Sequence, residues 1–139
     1  QAVKVTFDSG ILFATGSSTL QTAAKNSLTE FANNVLKQNA DMDVAIKGYT
    51  DNAGWKGCTA EQSAAKNEAL SLQRAQSVST YLTNMGVSTN QIKSIEGLGE
   101  ANPVADNSTA AGKQQNRRVE VYLYASEAMI NAANSGTLQ

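Results

Sequence analysis

The clearest indication of the fold lies near the end of the chain, where residues 116–124 read NRRVEVYLY. Within it, Val119, Val121 and Leu123 recur at the two-residue period of a strand that buries one face. Two consecutive arginines stand at the entrance to this predicted strand. The last strand of the sheet therefore begins with charged side chains and continues with apolar side chains at alternate positions.

Three earlier segments also indicate strands. Residues 3–7 and 42–46 place an apolar side chain at every second position, and residues 92–98 carry a less regular apolar pattern. The sequence Asp8-Ser9-Gly10 is typical of a turn, and the apolar residues 11–13 follow it. A short hairpin or a bent strand is therefore expected near the N-terminus.

Two helical patterns separate the predicted strands. The first can be capped by Ser17 or Ser18, and its apolar spacings of three and four residues define one helix face. Its apolar positions are Leu20, Ala24, Leu28, Phe31 and Val35. The second runs from about Thr59 to Asn84 without Pro or Gly, and Gly86 is its expected C-cap. Its buried side is predicted to carry Leu70, Ala75, Val78, Leu82 and Met85.

The predicted order is β-α-β-α-β-β, followed by a short C-terminal helix. Strand–helix–strand units favour a sheet covered by helices, and the last two strands lack a long helix between them. The expected fold is an α/β (α+β) two-layer sandwich, with a mixed sheet and helices on one face. Residues 99–115, with Pro103, are expected to form a polar loop.

We expect one domain over residues 1–125, with a helical tail over residues 126–139 packed on it. Met129, Ile130 and Ala133 would lie on one side of the tail helix, and Gly136 would end it. The chain starts without Met and runs at once into a strand pattern, which is expected for a piece of a longer protein.

The composition excludes several kinds of chemistry. The 139 residues suit a single domain that can bury a core without disulfides. The chain has no histidine, which removes the histidine-dependent nucleophiles and the common histidine zinc sites. Its one cysteine, Cys58, cannot form an intramolecular disulfide. The formal charge of −1 argues against a nucleic-acid partner, which would favour a basic surface. Together, these numbers favour binding over catalysis, and no metal or cofactor is expected.

Arginine is scarce in this chain. Only Arg74, Arg117 and Arg118 are present, whereas the other cations are scattered lysines. Arginine presents a planar fork that binds a carboxylate through two hydrogen bonds, which lysine cannot do. These residues can therefore serve a specific ligand, or they can form structural ion pairs, for example with Glu120 or Asp106.

Further polar residues are placed to meet these arginines. Asp51 follows a predicted strand, and Asn67 and Arg74 lie seven residues apart, so two helical turns put them on one face. Arg117 enters the last strand. An acid at a strand end, an arginine on the next helix and an arginine at the final strand can converge on one cleft.

These segments resemble the peptidoglycan-binding domain of the OmpA family. The family pattern T-D-x-x-G matches residues 50–54, N-x-x-L-S-x-x-R-A matches 67–75, G-x-G-E-x-x-P matches 97–103, and N-R-R-V-E matches 116–120. The resemblance covers most of the chain, from about Val5 to Tyr124. Four motifs in the family's order, on the predicted elements, make the resemblance specific.

The resemblance implies non-covalent binding of the peptidoglycan stem peptide through its diaminopimelate residue. Asp51 would accept the ammonium group of that residue, and Arg74 would bind a carboxylate. Arg117 would be a second cationic contact. Asn67 and the backbone around Thr50 would supply neutral hydrogen bonds. The chain would then act at the periplasmic face of the outer membrane of a Gram-negative bacterium, tied to that membrane by a lipidated segment or a barrel that it does not contain.

Two departures from the family pattern bear on the site. Many members carry Asp after the phenylalanine of the first segment, whereas this chain has Ala14, with Thr15 and Ser17 as nearby polar substitutes. The spacer between the first two motifs is longer than usual at residues 55–66. That insert would loop out or extend the helix, and Trp55 or Cys58 within it could lie near the ligand.

Two other functions are compatible with the residues. A protein–protein adaptor could keep this fold without the ligand, as Ala14 and the insert allow. A hydrolase could use Asp51 and Glu100 as an acid–base pair, although nothing in the sequence places them on either side of a scissile bond. The expected function is therefore non-catalytic anchoring to the cell wall.

Overall fold

Four strands form a mixed sheet in the computed structural model, which describes residues 2–134. The strands are β1 (Ala2–Asp8), β2 (Asp43–Tyr49), β3 (Ile92–Gly97) and β4 (Arg118–Tyr124). Their order is β1-β4-β2-β3, in which β4 is antiparallel to both of its neighbours and β2 is parallel to β3. The predicted mixed sheet is confirmed, and the stretch quoted first forms one of its two central strands.

Residues 2–134 contain five α-helices. They are α1 (Ser9–Leu12), α2 (Thr22–Phe31), α3 (Ala60–Asn84), α4 (Ala110–Asn116) and α5 (Glu127–Asn134). Of these, α2 and α3 cover one face of the sheet. Beyond α2 the chain continues as a π-helical turn, Ala32–Leu36, and a 3₁₀ turn, Lys37–Asn39. Residues from α2, α3, β2 and β4 share one hydrophobic core, which confirms the two-layer sandwich. Its fully buried members include Leu28, Leu36, Val44, Ile46, Val78, Leu82, Val119 and Val121.

The long helix α3 has the limits that the sequence predicts. Thr59 and Gln62 form a reciprocal capping box, in which each side chain accepts a hydrogen bond from the other residue's backbone N–H, at 3.1 and 2.9 Å. Gly86 follows the helix with a φ of 101°, a conformation that glycine adopts without steric cost. The predicted buried positions of α3 are buried or half-buried. Among residues 2–134, no helix is both long and apolar enough to cross a membrane.

The expected hairpin at residues 11–13 is wrong. The Asp8 side chain accepts a hydrogen bond from the backbone N–H of Gly10 at 2.7 Å, and this contact starts the single turn α1. Strand β1 pairs with β4 instead of folding back on the next segment. Phe13 forms an isolated antiparallel bridge with Leu20, so Leu20 lies outside α2 and the predicted cap at Ser17 or Ser18 is also wrong. The N-cap of α2 is Gln21.

Two expectations near the C-terminus change. The polar loop contains α4, whose N-cap Thr109 accepts a hydrogen bond from the N–H of Gly112 at 3.0 Å. The tail forms α5 as predicted, but none of its residues is buried and Ile130 is 49% exposed. The packing of the tail on the domain therefore stays a prediction. The predicted helix stop at Gly136 lies outside the described residues.

Helix α3 lies directly against the sheet at two glycines. A Cβ atom at Gly48 of β2 would overlap the carbonyl oxygen of Ser71, and one at Gly97 of β3 would overlap the backbone of Leu72. The Ser71 hydroxyl also accepts a hydrogen bond from the N–H of Gly99 at 2.9 Å. The helix backbone is therefore held against the carboxyl ends of both parallel strands.

We predict that Gly48→Ala destabilises the protein by about 3 kcal/mol or more, because an added methyl group must displace helix backbone rather than a flexible side chain. Urea unfolding followed by circular dichroism measures this loss. Gly54→Ala is the matched control, since its Cβ would lie 3.6 Å from the Ser63 hydroxyl, an ordinary contact. Equal stabilities of the two variants would contradict the close approach.

The face of the sheet opposite the helices carries a buried ionic cluster. Arg118 donates from Nε to Glu120 Oε2 at 2.7 Å, and both residues are 3% exposed. Arg118 also lies 3.8 Å above the Tyr49 ring and donates to the Asn102 carbonyl at 2.9 Å. The Tyr122 hydroxyl donates to Glu120 Oε1 at 2.6 Å. Arg118 thus forms a structural ion pair with Glu120, one of the two roles that the sequence allowed for the arginines.

This cluster shifts the titration of its members. Burial alone would raise the pKa of Glu120, but hydrogen bonds from Tyr122 and Arg118, with the charges of Arg118 and Lys4, outweigh it and lower that pKa. The hydrogen bond to Glu120, followed by burial, raises the pKa of Tyr122 from 10 to about 12. A raised tyrosine pKa stabilises the folded protein below pH 10, and that stabilisation is lost as the pH rises through about 12.

We therefore predict that Tyr122→Phe lowers the free energy of unfolding near neutral pH by more than it does in strong alkali. The difference from the parent protein should narrow between pH 10 and pH 12, where only the parent loses the tyrosine contribution. Urea unfolding at stepped pH values measures both proteins. A difference that stays constant across this window would contradict the assigned hydrogen bond.

Candidate functional site

A cleft of about 820 Å³ opens at the carboxyl end of β2. Its walls come from the segment between α1 and α2, the loop after β2, the N-terminal half of α3 and the residue that precedes β4. Six residues that the sequence predicts for the site line it, and they are Thr15, Thr50, Asp51, Asn67, Arg74 and Arg117. Ser17, the other polar substitute near Ala14, is not among the described lining residues, but its carbonyl accepts a hydrogen bond from Arg74.

The loop after β2 holds Asp51 in place. The Thr50 N–H donates to the Gly99 carbonyl at 2.7 Å, which ties this loop to the end of β3. Asp51 Oδ1 accepts a hydrogen bond from the N–H of Ala53 at 2.9 Å, and the Thr50 hydroxyl donates to the Asp51 carbonyl at 2.8 Å. One carboxylate oxygen of Asp51 is thus used by its own loop, and the other faces Arg117.

Asp51 and Arg117 form a salt bridge across the cleft. Arg117 Nη1 donates to Asp51 Oδ2 at 2.5 Å, and the exposed side-chain fractions are 38% for Arg117 and 9% for Asp51. The arginine is therefore partly open to solvent, whereas the carboxylate is held in the wall. This pairing was not predicted, because the sequence analysis took the two residues as separate ligand contacts.

Arg74 lies deeper and has neutral partners. It is 5% exposed, its Nε donates to the Ser17 carbonyl at 2.9 Å, and its Nη2 donates to the Ala14 carbonyl at 3.3 Å. Its guanidinium lies 5.1 Å from the centroid of the Phe13 ring. Within residues 2–134 it forms no salt bridge, so its positive charge is not neutralised by a neighbour.

The surroundings of Arg74 work against its charge. Burial and the nearby charge of Arg117 lower the pKa of Arg74, and Asp51 only partly offsets them. The group stays protonated, because arginine titrates far above neutral pH. An anion beside Arg74 would offset both effects through its opposite charge. Arg74 is therefore a buried cation that an anionic group in the cleft would stabilise.

Asn67 is oriented by a residue of the insert. The Trp55 indole N–H donates to Asn67 Oδ1 at 2.8 Å, and Asn67 Nδ2 donates to the Ala53 carbonyl at 3.1 Å. A carboxamide can accept two hydrogen bonds and donate two, so one of each remains available. Asn67 is thus a fixed part of the wall with limited capacity for a ligand.

The insert at residues 55–66 both loops out and extends the helix, the two alternatives that the sequence allowed. Residues 55–58 form a tight turn, and the rest extends α3 towards its N-terminus from Thr59. Trp55 and Lys56 line the cleft, whereas the half-buried Cys58 is not among the described residues that do. The sequence makes Trp55 a candidate, whereas nothing in it distinguishes Lys56 from the other lysines.

Several lining residues escaped the sequence analysis. Phe13 and Ser9 line the cleft from the segment that was expected to be a hairpin, and Leu70 lines it from α3. The Ser9 hydroxyl is buried and has no hydrogen-bond partner within residues 2–134. Ala14 lines the cleft without a charged side chain, and its backbone carbonyl accepts a hydrogen bond from Arg74. Within the same residues, no cluster of three or more acidic or cysteine side chains could hold a metal ion.

The arrangement suits a ligand with both charges. Asp51 can bind a cation, and Arg74 and Arg117 can bind a carboxylate next to it. Phe13, Trp55 and Leu70 add apolar wall that can cover methylene groups. With no histidine in the chain, the described cleft has no histidine-activated nucleophile.

We predict that Trp55→Phe lowers stability by about 1–3 kcal/mol, since it leaves the buried Asn67 oxygen without its indole donor. A double-mutant cycle with Asn67→Ala, measured by urea unfolding, isolates this contact. The combined variant should lose less stability than the two single losses added together. Additive losses would show that the hydrogen bond contributes nothing.

Comparison with known proteins gives consistent matches. The sequence model of the OmpA family matches residues 12–117. The chain is 45% identical over 119 residues to the probable lipoprotein YiaD of Escherichia coli K12, which covers 86% of this chain and 47% of YiaD. It is 44% identical over 86 residues to the peptidoglycan-binding protein ArfA of Mycobacterium tuberculosis H37Rv, which covers 62% of this chain and 24% of ArfA.

A solved structure shares the fold. The cell wall anchor of the T6SS from Pseudomonas aeruginosa superposes with a TM-score of 0.75 at 28% identity, covering 90% of this chain and 82% of that one. The matches to the two curated relatives, by contrast, span less than half of their lengths.

Proposed function

The chain belongs to the OmpA family, and from that premise we propose that its cleft binds peptidoglycan non-covalently, through the diaminopimelate residue of the stem peptide. Two of the proteins it resembles are named for the cell wall, one as a peptidoglycan-binding protein and the other as a cell wall anchor. The proposed role is anchoring, without a catalytic step. Residues 1–125 would form the binding domain.

The observation that carries the proposal is the convergence of one carboxylate and two arginines in a single cleft. The free end of a diaminopimelate side chain bears an ammonium and a carboxylate on the same carbon. Asp51 would accept the ammonium, while Arg74 and Arg117 would bind the carboxylate. The three methylene groups of the ligand would lie along Phe13 and Leu70.

The pairing of Asp51 with Arg117 is compatible with this mode. Arg117 uses only Nη1 on Asp51, which leaves its other donors for the ligand. A carboxylate can also accept several hydrogen bonds at once, so the ammonium can join Arg117 on Asp51. Because Asp51 and Arg74 are held by backbone groups, little ordering is needed when the ligand binds.

The expected affinity of one site is modest. Hydrogen bonds to charged groups contribute about 1.5–3 kcal/mol each, less the ordering costs of association. A polymeric cell wall presents many copies of the ligand, and a tethered protein would gain from avidity. We place the domain in the periplasm of a Gram-negative bacterium and propose that a segment outside this chain ties it to the outer membrane.

We predict that Asp51→Asn reduces binding to purified cell-wall sacculi at least about tenfold, because it removes the charge that receives the ammonium. It keeps an oxygen for the N–H of Ala53, so the melting temperature should change by only a few degrees. Asp41→Asn, at an exposed position outside the cleft, is the matched control and should bind as the parent does.

The arginines are tested in the same assay. Arg117→Gln should weaken binding without unfolding the protein, since this side chain is partly exposed. Arg74→Lys is preferable to Arg74→Ala, because the guanidinium holds the carbonyls of Ala14 and Ser17. Folded variants that bind sacculi like the parent would favour the protein–protein adaptor over the proposed function.

A titration identifies the ligand. Trp55 is the chain's only tryptophan and lines the cleft, so its fluorescence should respond to free diaminopimelate. A lysine derivative with blocked α-amino and α-carboxyl groups keeps the side-chain ammonium and a methylene chain but has no free carboxylate, and it should bind much more weakly. Equal responses to both compounds would contradict a carboxylate site at Arg74.

A further inference from the structure

The cleft holds more positive charge than the proposed ligand end requires. Its charged lining residues are Asp51, Lys56, Arg74 and Arg117, which gives three cations against one carboxylate. Within residues 2–134, Asp51 pairs with Arg117, whereas Arg74 and Lys56 form no salt bridge. A zwitterion brings equal and opposite charges and leaves this excess unchanged. A ligand with a further carboxylate would complement it.

Lys56 stands on a turn that is fixed at its base. The Cys58 N–H donates to the Trp55 carbonyl at 3.1 Å, and Gly57 has a φ of 74°, as expected at the third position of a type II turn. The Trp55 N–H donates to the Ser63 hydroxyl at 2.8 Å, and its indole is bonded to Asn67. Two hydrogen bonds from Trp55 to α3 therefore fix the position of the turn that carries Lys56.

The side chain of Lys56 remains free to meet a ligand. It is exposed, and it lies in the part of the cleft wall that the insert forms. Lys66 differs, because its ammonium lies 5.4 Å from the Trp55 ring and it is not among the described lining residues. The two lysines next to Trp55 thus provide one cation inside the cleft and one outside it.

We propose that Lys56 forms a second carboxylate subsite, which binds an acidic group of the stem peptide outside the zwitterionic end of diaminopimelate. The inference rests on the proposed function and deepens it, because it makes the ligand a peptide segment rather than a single amino acid. The insert would then select for stem peptides whose remaining carboxyl groups are free. Amidated stem peptides would bind less well.

The test compares two synthetic tripeptides by calorimetric titration. Both contain alanine, γ-linked glutamate and diaminopimelate with an intact zwitterionic end. One has free carboxylates elsewhere, and the other has carboxamides at those positions. The parent protein should bind the free-acid peptide about fivefold more tightly at low salt, the size expected for an exposed ion pair. Added salt should reduce this preference.

Variants at residue 56 test whether Lys56 causes the preference for the free-acid peptide. Lys56→Gln should bind both peptides equally and bind the amidated peptide as the parent does, whereas Lys56→Arg should keep the preference. Lys66→Gln removes a neighbouring charge outside the cleft, and Lys93→Gln removes an exposed charge on β3. Both controls should keep the preference of the parent.

The outcomes separate the inference from the proposed function. A parent protein that binds neither peptide would overturn the proposed function. A parent that binds both peptides with one affinity would overturn only the Lys56 subsite. A preference that survives in Lys56→Gln would likewise assign the second carboxylate to another residue and overturn the inference.

Discussion

The contact of α3 with the sheet at Gly48 and Gly97 is the constraint on which the rest of the structure depends. A side chain at either position would push the helix backbone away from the strands. Because α3 lies so close, Asn67 and Arg74 reach the carboxyl ends of β2 and β3, where the loop with Asp51 begins. The absence of a side chain at these two glycines thus determines how closely α3, which lines the cleft, approaches the sheet.

The cleft is organised by backbone groups more than by opposite charges. Arg74 is held by two carbonyls and Asp51 by an amide, so both charges keep their positions without neutralising each other. Arg117 is the exception, since it shares its charge with Asp51 and is more exposed. The cleft thus combines a buried deep part, held by backbone hydrogen bonds, with a more exposed entrance. Arg118 pairs with Glu120 in the ionic cluster on the opposite face of the sheet, whereas the adjacent Arg117 lies in the cleft.

The sequence predicted the parts of the fold that are governed by local chemistry. Alternation located β4, and the capping residue Thr59 with the glycine after the helix located α3. The start of α2 was missed because Leu20 pairs with Phe13, a contact between segments that no local pattern reveals. The short helix α4 was missed because its seven residues include Gly112 and are too few for an apolar period.

For the site, the family motifs indicated five residues that share one cleft, and the departure at Ala14 indicated a sixth, Thr15, but neither showed how these residues contact one another. The Asp51–Arg117 pair and the Trp55–Asn67 hydrogen bond join residues far apart in sequence, so they required the structure.

The place of β4 in the sheet has a consequence for synthesis of the chain. β2, α3 and β3 are contiguous in sequence and can associate as soon as they leave the ribosome. β1 is made first, yet in the described structure its strand partner is β4, which is made last of the four. The N-terminal strand must therefore wait, unpaired, for nearly the whole domain to emerge. Arg117 arrives with β4, so the cleft acquires its last cation only when the sheet closes.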